Sequence, residues 1–132
     1  MKPEINIELK VIENFVIKDK RERYLNFIKK SKTRRKFTDE LAHFSSQLDN
    51  FQEIKTNELE EINRRLQKIK SIEDCYLISE NNKIDGKRLK IKDALTETIG
   101  MGMGTLIVFG NADLVFYEGE GPSDRWIREL KK

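Results

Sequence analysis

Hydrophobic and polar residues alternate at the start of the chain. The alternation covers residues 5–11 and predicts a half-buried β-strand. A helix stays open for residues 4–16, because apolar residues also recur there every three or four positions, as at Ile5, Leu9 and Ile12. The alternation is the stronger of the two patterns, so we favour the strand.

Helical spacing takes over after this segment. Apolar residues three or four positions apart predict helices near residues 18–31 and 34–45, with Thr33 as the N-cap of the second. Residues 45–56 are rich in turn-forming side chains and predict a connection, anchored by a few apolar residues.

A third helix has the clearest pattern. Asn57 and Glu60 resemble a capping box at its N-terminus. An apolar stripe follows, made of Leu59, Ile62, Leu66 and Ile69. Two heptads are too few to indicate a coiled coil, so the stripe predicts a core-facing helix, and a homodimer seam is the alternative.

The second half of the chain changes to strand-sized apolar segments. Residues 75–79 predict a buried strand, and residues 91–99 predict a short helix that stops at Gly100. Two further strands, 105–109 and 113–118, flank a tight turn and predict an antiparallel hairpin.

Both faces of this hairpin are apolar, so we expect it to be central and covered on both sides. One face carries Ile107, Phe109, Leu114 and Phe116, and the other carries Leu106, Val108, Val115 and Tyr117. After a loop at 119–123, residues 124–132 predict a terminal helix. The whole pattern predicts one α+β domain over residues 1–132. Its helical N-terminal half, with a leading edge strand, is followed by β-α-β-β-α around the central antiparallel hairpin.

Composition narrows the class of protein. The 26 Lys and Arg nearly balance the 23 Asp and Glu, and 37% of the residues are hydrophobic, which argues against wholesale disorder. One cysteine excludes an internal disulfide framework, and one histidine excludes multi-histidine zinc sites. The apolar segments are far shorter than the roughly 20 residues of a membrane helix. We therefore expect a cytoplasmic protein that does not contact a membrane.

Nothing in the sequence points to a cofactor or a metal. The glycine-rich segment 100–104 follows a helix and precedes a strand, the reverse of the order in phosphate-binding loops. It indicates a helix stop and close backbone packing. Asp39 lies one turn before His43, but no nucleophile motif accompanies them, so a structural or surface histidine is favoured. Cys75 opens a predicted buried strand, where a small hydrophobe that reacts slowly is expected.

The strongest charge feature is a basic segment, residues 18–36, in which ten basic residues oppose two acidic ones. Interleaved aromatic residues there resemble the mixture that contacts phosphates and stacks on bases, although they also fit a buried stripe. Its candidate anion-binding residues are Arg21, Arg23, Arg34 and Arg35, whose guanidinium groups can grip phosphate or carboxylate at two points. Residues 39–61 are acidic, and whether they neutralise the basic segment stays open.

Three functions follow from these patterns. The leading one is a non-catalytic binding domain whose basic segment contacts an acidic protein or nucleic acid. The alternative is a small enzyme that uses carboxylates near Glu118 and Glu120, with an anionic substrate held by Arg34, Arg35 or Arg125. The third is a homo-oligomeric structural subunit. A cleft that holds one of these carboxylates beside an arginine would favour the enzyme, and an open positive face would favour the binding domain.

Overall fold

The computed structural model describes residues 3–69 and 74–130. Within them the chain forms five α-helices and six β-strands. The helices are α1 (Ile5–Phe15), α2 (Lys18–Lys29), α3 (Ser31–Thr38), α4 (Leu59–Ile69) and α5 (Ile91–Thr98). The strands are β1 (Gln52–Glu53), β2 (Asp74–Ser79), β3 (Arg88–Lys90), β4 (Thr105–Phe109), β5 (Leu114–Glu118) and β6 (Arg125–Glu129). Two short 3₁₀ turns, Leu41–His43 and Ser45–Gln47, follow α3.

The strands form one antiparallel sheet in the order β1-β6-β5-β4-β2-β3. The β4–β5 hairpin therefore occupies the middle of the sheet, as predicted, with Ile107 opposite Phe116. Its turn contains Gly110 and Ala112, both with positive φ. The α+β class with a helical N-terminal half is confirmed.

Helices cover both faces of the sheet. The three N-terminal helices, α1 to α3, pack on the face that carries Leu106, Val108, Val115 and Tyr117. The other face carries Ile107, Phe109, Leu114 and Phe116, and it packs against α4 and α5. This is the division into two apolar faces that the sequence predicts, and a hairpin without a wet face requires such a three-layer arrangement.

The expected leading strand is wrong, because residues 5–15 form α1. The helix buries residues at i, i+3, i+4 and i+7, namely Glu8, Val11, Ile12 and Phe15. One of these four is a glutamate, which interrupts the apolar period of the helical face. The alternation over residues 5–11 reflects partly buried residues on the flanks of α1.

The expected terminal helix is also wrong, because β6 pairs with β5 along residues 125–129. Arg125 and Ile127 are buried on the same face, and the alternate positions Trp126 and Arg128 are only partly buried. An arginine at a core-facing position hides this strand alternation. Residues 131–132 of that prediction lie outside the described residues.

Smaller differences concern the ends of elements. The second predicted helix stops at Thr38 rather than near residue 45, and the chain continues through the two 3₁₀ turns. Thr33 lies inside α3, and its hydroxyl donates to the carbonyl of Phe27. The short edge strand β3 was not predicted. In α4 the predicted stripe is buried at Ile62 and Leu66, whereas Leu59 is 38% exposed, and the side chain of Ile69 lies outside the described part of the chain.

The glycine-rich segment has the structural role expected from its position. Gly100 has φ +76° just after α5 ends, as a helix stop requires. A Cβ atom on Gly104 would lie 2.0 Å from the carbonyl carbon of Leu41, so only glycine fits there. Residues 41–42 are thereby held close to the start of β4.

Candidate functional site

The arginines of the basic segment are bound to carboxylates of this same chain. Arg34 is the most deeply buried of the four and donates to Glu8 through Nε at 2.9 Å and Nη2 at 2.7 Å. A second two-point contact joins it to Asp85, at 2.6 and 2.9 Å. Tyr76 completes the cluster by donating its hydroxyl to Glu8 at 2.6 Å. Arg34 therefore links α1, α3 and the β2–β3 loop.

The contacts and burial in this cluster shift the pKa values of Arg34 and Tyr76. Burial lowers the pKa of Arg34, but its hydrogen bonds to Asp85 and Glu8 raise it more, so the pKa lies above its ordinary value. Burial raises the pKa of Tyr76, and the charge of Glu8 raises it further. The guanidinium stays charged and the phenol stays neutral, which makes this a permanent structural link.

The other three arginines make more exposed pairs. Arg23 donates to Glu40 at 2.9 Å, and Arg35 Nε lies 2.8 Å from Asp39. Arg21 donates to the carbonyl of Val16 at 2.8 Å and lies 3.6 Å from Asp49. The acidic partners Asp39, Glu40 and Asp49 all belong to residues 39–61. The acidic segment therefore pairs with arginines of the basic segment.

The lysines of the basic segment, unlike its arginines, form no ion pair with any residue that the structure describes. Four of them, at the junction of α2 and α3, form what we call the lysine surface: Lys29, Lys30, Lys32 and Lys36. All four are exposed, and within residues 3–69 and 74–130 none of them forms an ion pair. The half-buried ring of Phe27 lies beside this surface, with Lys36 Nζ 5.9 Å from the ring centroid. This is an open positive face with an aromatic ring at its edge.

The remaining candidate residues, Glu118, Glu120 and Arg125, meet at one end of the sheet. They line a cleft of about 470 Å³ together with Gly100 and Pro122. At this end β5 stops and β6 begins, so Glu118 and Arg125 are cross-strand neighbours. The structure therefore brings these three residues together and places them apart from the four arginines of the basic segment.

Glu118 and Arg125 form a buried pair, exposed by only 1% and 3%. Arg125 Nε lies 2.7 Å from Glu118 Oε1 in an ion contact without an aligned hydrogen bond, and Nη2 donates to Oε2 at 3.1 Å. The amide of Gly100 also donates to this carboxylate, at 3.1 Å. Burial raises the pKa of Glu118 above its ordinary value, although Gly100 and Arg125 act in the opposite direction.

Glu120 has a different setting from its neighbour in the cleft. Its carboxylate is exposed and lies 2.9 Å from Nε2 of His43. Its amide donates to the carbonyl of Ala42, which holds the loop after β5 against the first 3₁₀ turn. His43 is a surface histidine, as expected. Its partner is Glu120, however, whereas Asp39 pairs with Arg35.

The sequence analysis predicts anion binding by the four arginines of the basic segment rather than by its lysines. Arginine was preferred because its planar fork suits anions, but the same fork also suits the carboxylates of this chain. The neighbouring acidic segment is the signal that distinguishes the two residue types. Here Asp39, Glu40 and Asp49 are bound by arginines, and the four lysines of the lysine surface form no ion pair with a described residue.

In the part of the chain that the structure describes, no group of three or more His, Cys, Asp or Glu side chains is placed to hold a metal ion. None of the described helices combines the length and hydrophobicity needed to cross a bilayer. When the chain is compared with protein-family models, curated proteins and solved structures, none of them matches it significantly.

Proposed function

We propose that this protein is a non-catalytic binding domain whose lysine surface contacts a polyanion. The observation that carries the proposal is the position of four exposed, unpaired lysines within eight residues of sequence, from Lys29 to Lys36. Cations that have no partner within the fold attract phosphates, and their bound counterions are released on binding. The four arginines, already held by carboxylates, contribute to the shape of this surface.

Recognition at this surface acts mainly through charge. Lysine is a compact point charge on a flexible stem, so it contacts phosphates without fixing a base sequence. The lysines lie on exposed turns of α2 and α3 that pack on the sheet, so the surface is held by the core. Phe27 is half-buried, and Arg23 and Lys36 lie 5.2 and 5.9 Å from its ring centroid, so the ring holds two cations at the edge of this surface. These features favour a nucleic-acid backbone as the partner, with little preference for sequence.

The test is a titration of the full chain with a fluorescein-labelled single-stranded oligonucleotide and its duplex, at low and at physiological salt. The charge-reversal variant Lys29→Glu/Lys32→Glu should weaken binding by about tenfold or more and reduce the salt slope by about one unit per lysine. The matched control is Lys90→Glu/Lys92→Glu, which makes the same charge change at exposed positions beside α5.

The outcomes separate surface recognition from net charge. Equal losses in the two variants would show that only the overall charge matters, and they would overturn the proposal for this surface. The absence of binding by the wild-type chain at low salt would remove nucleic acid as the partner and would leave an acidic protein as the remaining polyanion.

A small enzyme is the second candidate, favoured by the cleft that holds Glu118 and Glu120 beside Arg125. Against it, the guanidinium of Arg125 is already bound to Glu118 and to the carbonyls of Thr56 and Pro122. A substrate anion would have to displace these contacts. An NMR titration with acetate and inorganic phosphate tests this candidate, because binding in the cleft would shift the amide signals of Gly100 and Glu120. Unchanged signals would remove it.

A further inference from the structure

A second cationic region lies between α4 and the edge strand β1. It is a groove of about 680 Å³, which we call the β1–α4 groove. Its lining includes four cations, Lys55, Arg64, Arg65 and Lys68, and two carboxylates, Glu53 and Glu61. Arg65 also lines an adjoining groove of about 610 Å³, where Arg128 lies 3.6 Å from Asp49. Among the described cations of the two grooves, those without an ion pair therefore belong to the β1–α4 groove.

The cations of the β1–α4 groove differ from the arginines of the basic segment in having no carboxylate partner among the residues that the structure describes. Arg64, Arg65 and Lys68 are exposed on α4, and within the described residues none of them forms an ion pair or a hydrogen bond through its side chain. Glu60 and Glu61 stand four residues before Arg64 and Arg65, but the structure forms no bridge between them. Both guanidinium groups can therefore donate two hydrogen bonds to one carboxylate.

The backbone beside these cations is also free on one side. β1 is the last strand at its end of the sheet and pairs only with β6 among the described strands. An edge strand presents unpaired N–H and C=O groups, which can pair with an additional strand. A nucleic acid has no backbone amides to complete such a ladder, whereas an extended polypeptide does.

We infer that the β1–α4 groove binds an acidic polypeptide segment in extended conformation, which adds as a strand beside β1. Alternate side chains of such a segment lie about 6.6 to 6.8 Å apart on one face. Arg64 and Lys68 are separated by four residues of α4, a rise of about 6 Å. Carboxylates at alternate positions therefore match the spacing of the cations. This site lies on the α4–α5 side of the sheet and does not depend on the lysine surface.

Fluorescence anisotropy with three labelled seven-residue probes tests the inference on the full chain. The first probe alternates Glu with Thr, the second is the same peptide with N-methyl groups on alternate amides, and the third alternates Lys with Thr. We expect the first probe to bind, the N-methylated probe to bind at least about tenfold more weakly because it cannot complete the ladder, and the Lys probe not to bind.

Two charge-reversal variants place the binding on the groove. Arg64→Glu/Arg65→Glu should weaken the Glu probe by about tenfold or more, whereas Lys29→Glu/Lys32→Glu makes the same charge change and should have little effect. Circular dichroism and thermal unfolding of both variants check that each is folded.

Three results would overturn the inference. Equal binding of the N-methylated probe would show that the groove attracts anions by charge alone, without a backbone ladder to β1. Failure of the Glu probe to bind would show that the groove does not bind an acidic strand. The charged residues beside β1 would then serve only to prevent edge-to-edge association of sheets. A larger loss in the Lys29→Glu/Lys32→Glu variant would place peptide binding on the lysine surface. Oligonucleotide binding is measured separately, so failure here leaves the proposed function unaffected.

Discussion

The two helical layers are joined to the sheet by different forces. On the α1–α3 side, polar contacts reinforce the apolar packing: Arg34 binds Glu8 and Asp85, and the Tyr117 hydroxyl donates to Leu41 and accepts from the amide of Phe44. On the other side, α4 and α5 contact the sheet through aliphatic side chains, and no described residue of either helix forms an ion pair. The four arginines of the basic segment in the first layer are paired with carboxylates of the chain, whereas Arg64 and Arg65 of α4, like the lysine surface, form no ion pair with any described residue.

The largest effect should come from breaking the buried cluster of the α1–α3 layer. Arg34→Ala leaves Glu8 buried without a cation, and loss of one partner from a buried pair costs about 3 to 5 kcal/mol of unfolding free energy. The matched control, Arg35→Ala, removes a half-exposed pair with Asp39 and two exposed hydrogen bonds, to Asn82 and to the carbonyl of Glu80, and should cost only about 1 kcal/mol. Urea unfolding of both variants measures this difference, and equal losses would contradict the structural role of Arg34.

In the α4–α5 layer, a loss of similar or slightly smaller size should come from removing aliphatic contacts. Leu66 is fully buried, and Leu66→Ala should cost about 2 to 5 kcal/mol. The midpoint of unfolding should not depend on protein concentration if this stripe belongs to the monomer core. A concentration-dependent midpoint that Leu66→Ala abolishes would instead support the homodimer seam.

Cys75 shows whether the two layers open together. Its thiol is buried on the α4–α5 side, and burial, with help from Asp74, raises its pKa to about 12. Thiol labelling of the native chain should therefore be slow and should rise much less between pH 7 and 9 than labelling of the denatured chain. If Leu66→Ala accelerates labelling more than Arg34→Ala does at equal loss of stability, then the α4–α5 layer opens independently. Rapid labelling of the wild-type chain would contradict its burial.

The smallest effect on stability should come from the lysine surface. Lys29→Glu/Lys32→Glu changes exposed residues without ion pairs, so its unfolding free energy should stay within about 0.5 kcal/mol of the wild-type value. A large loss would mean that these lysines stabilise the fold, which would remove the reason for assigning them to a partner.

The sequence could predict the elements in which apolar residues fill the middle of the element. The hairpin is correctly predicted because its buried polar residues, Thr105 and Glu118, lie only at strand ends. The helix α4 is correctly predicted because its described buried residues, Ile62 and Leu66, are both apolar. The two wrong elements, α1 and β6, each place a charged residue, Glu8 and Arg125, at a core-facing position. The burial of Glu8 depends on Arg34 and Tyr76, which are distant in sequence, and the burial of Arg125 depends on Glu118, which becomes its neighbour only when β5 and β6 pair.

The candidate sites, too, could be predicted only where the interacting residues are close in sequence. The group Glu118, Glu120 and Arg125 was found because its members are close in sequence and follow one strand. The fate of Arg34 could not be predicted, because its partners lie 26 and 51 residues away. The β1–α4 groove was not predicted because its two walls come from different elements, and β1 itself was not expected from the sequence.

The contact between Glu8 and Tyr76, which spans 68 residues, has a consequence for synthesis of the chain. The N-terminal helices are synthesised before any residue of β2 to β6, so they first have no sheet to pack on. Glu8 can meet Arg34 at that stage, but its other partner, the hydroxyl of Tyr76, is added later with β2. Because contacts between distant residues form slowly, we expect α1 to α3 to stay loosely ordered at first. They should pack tightly only after β2 has been translated.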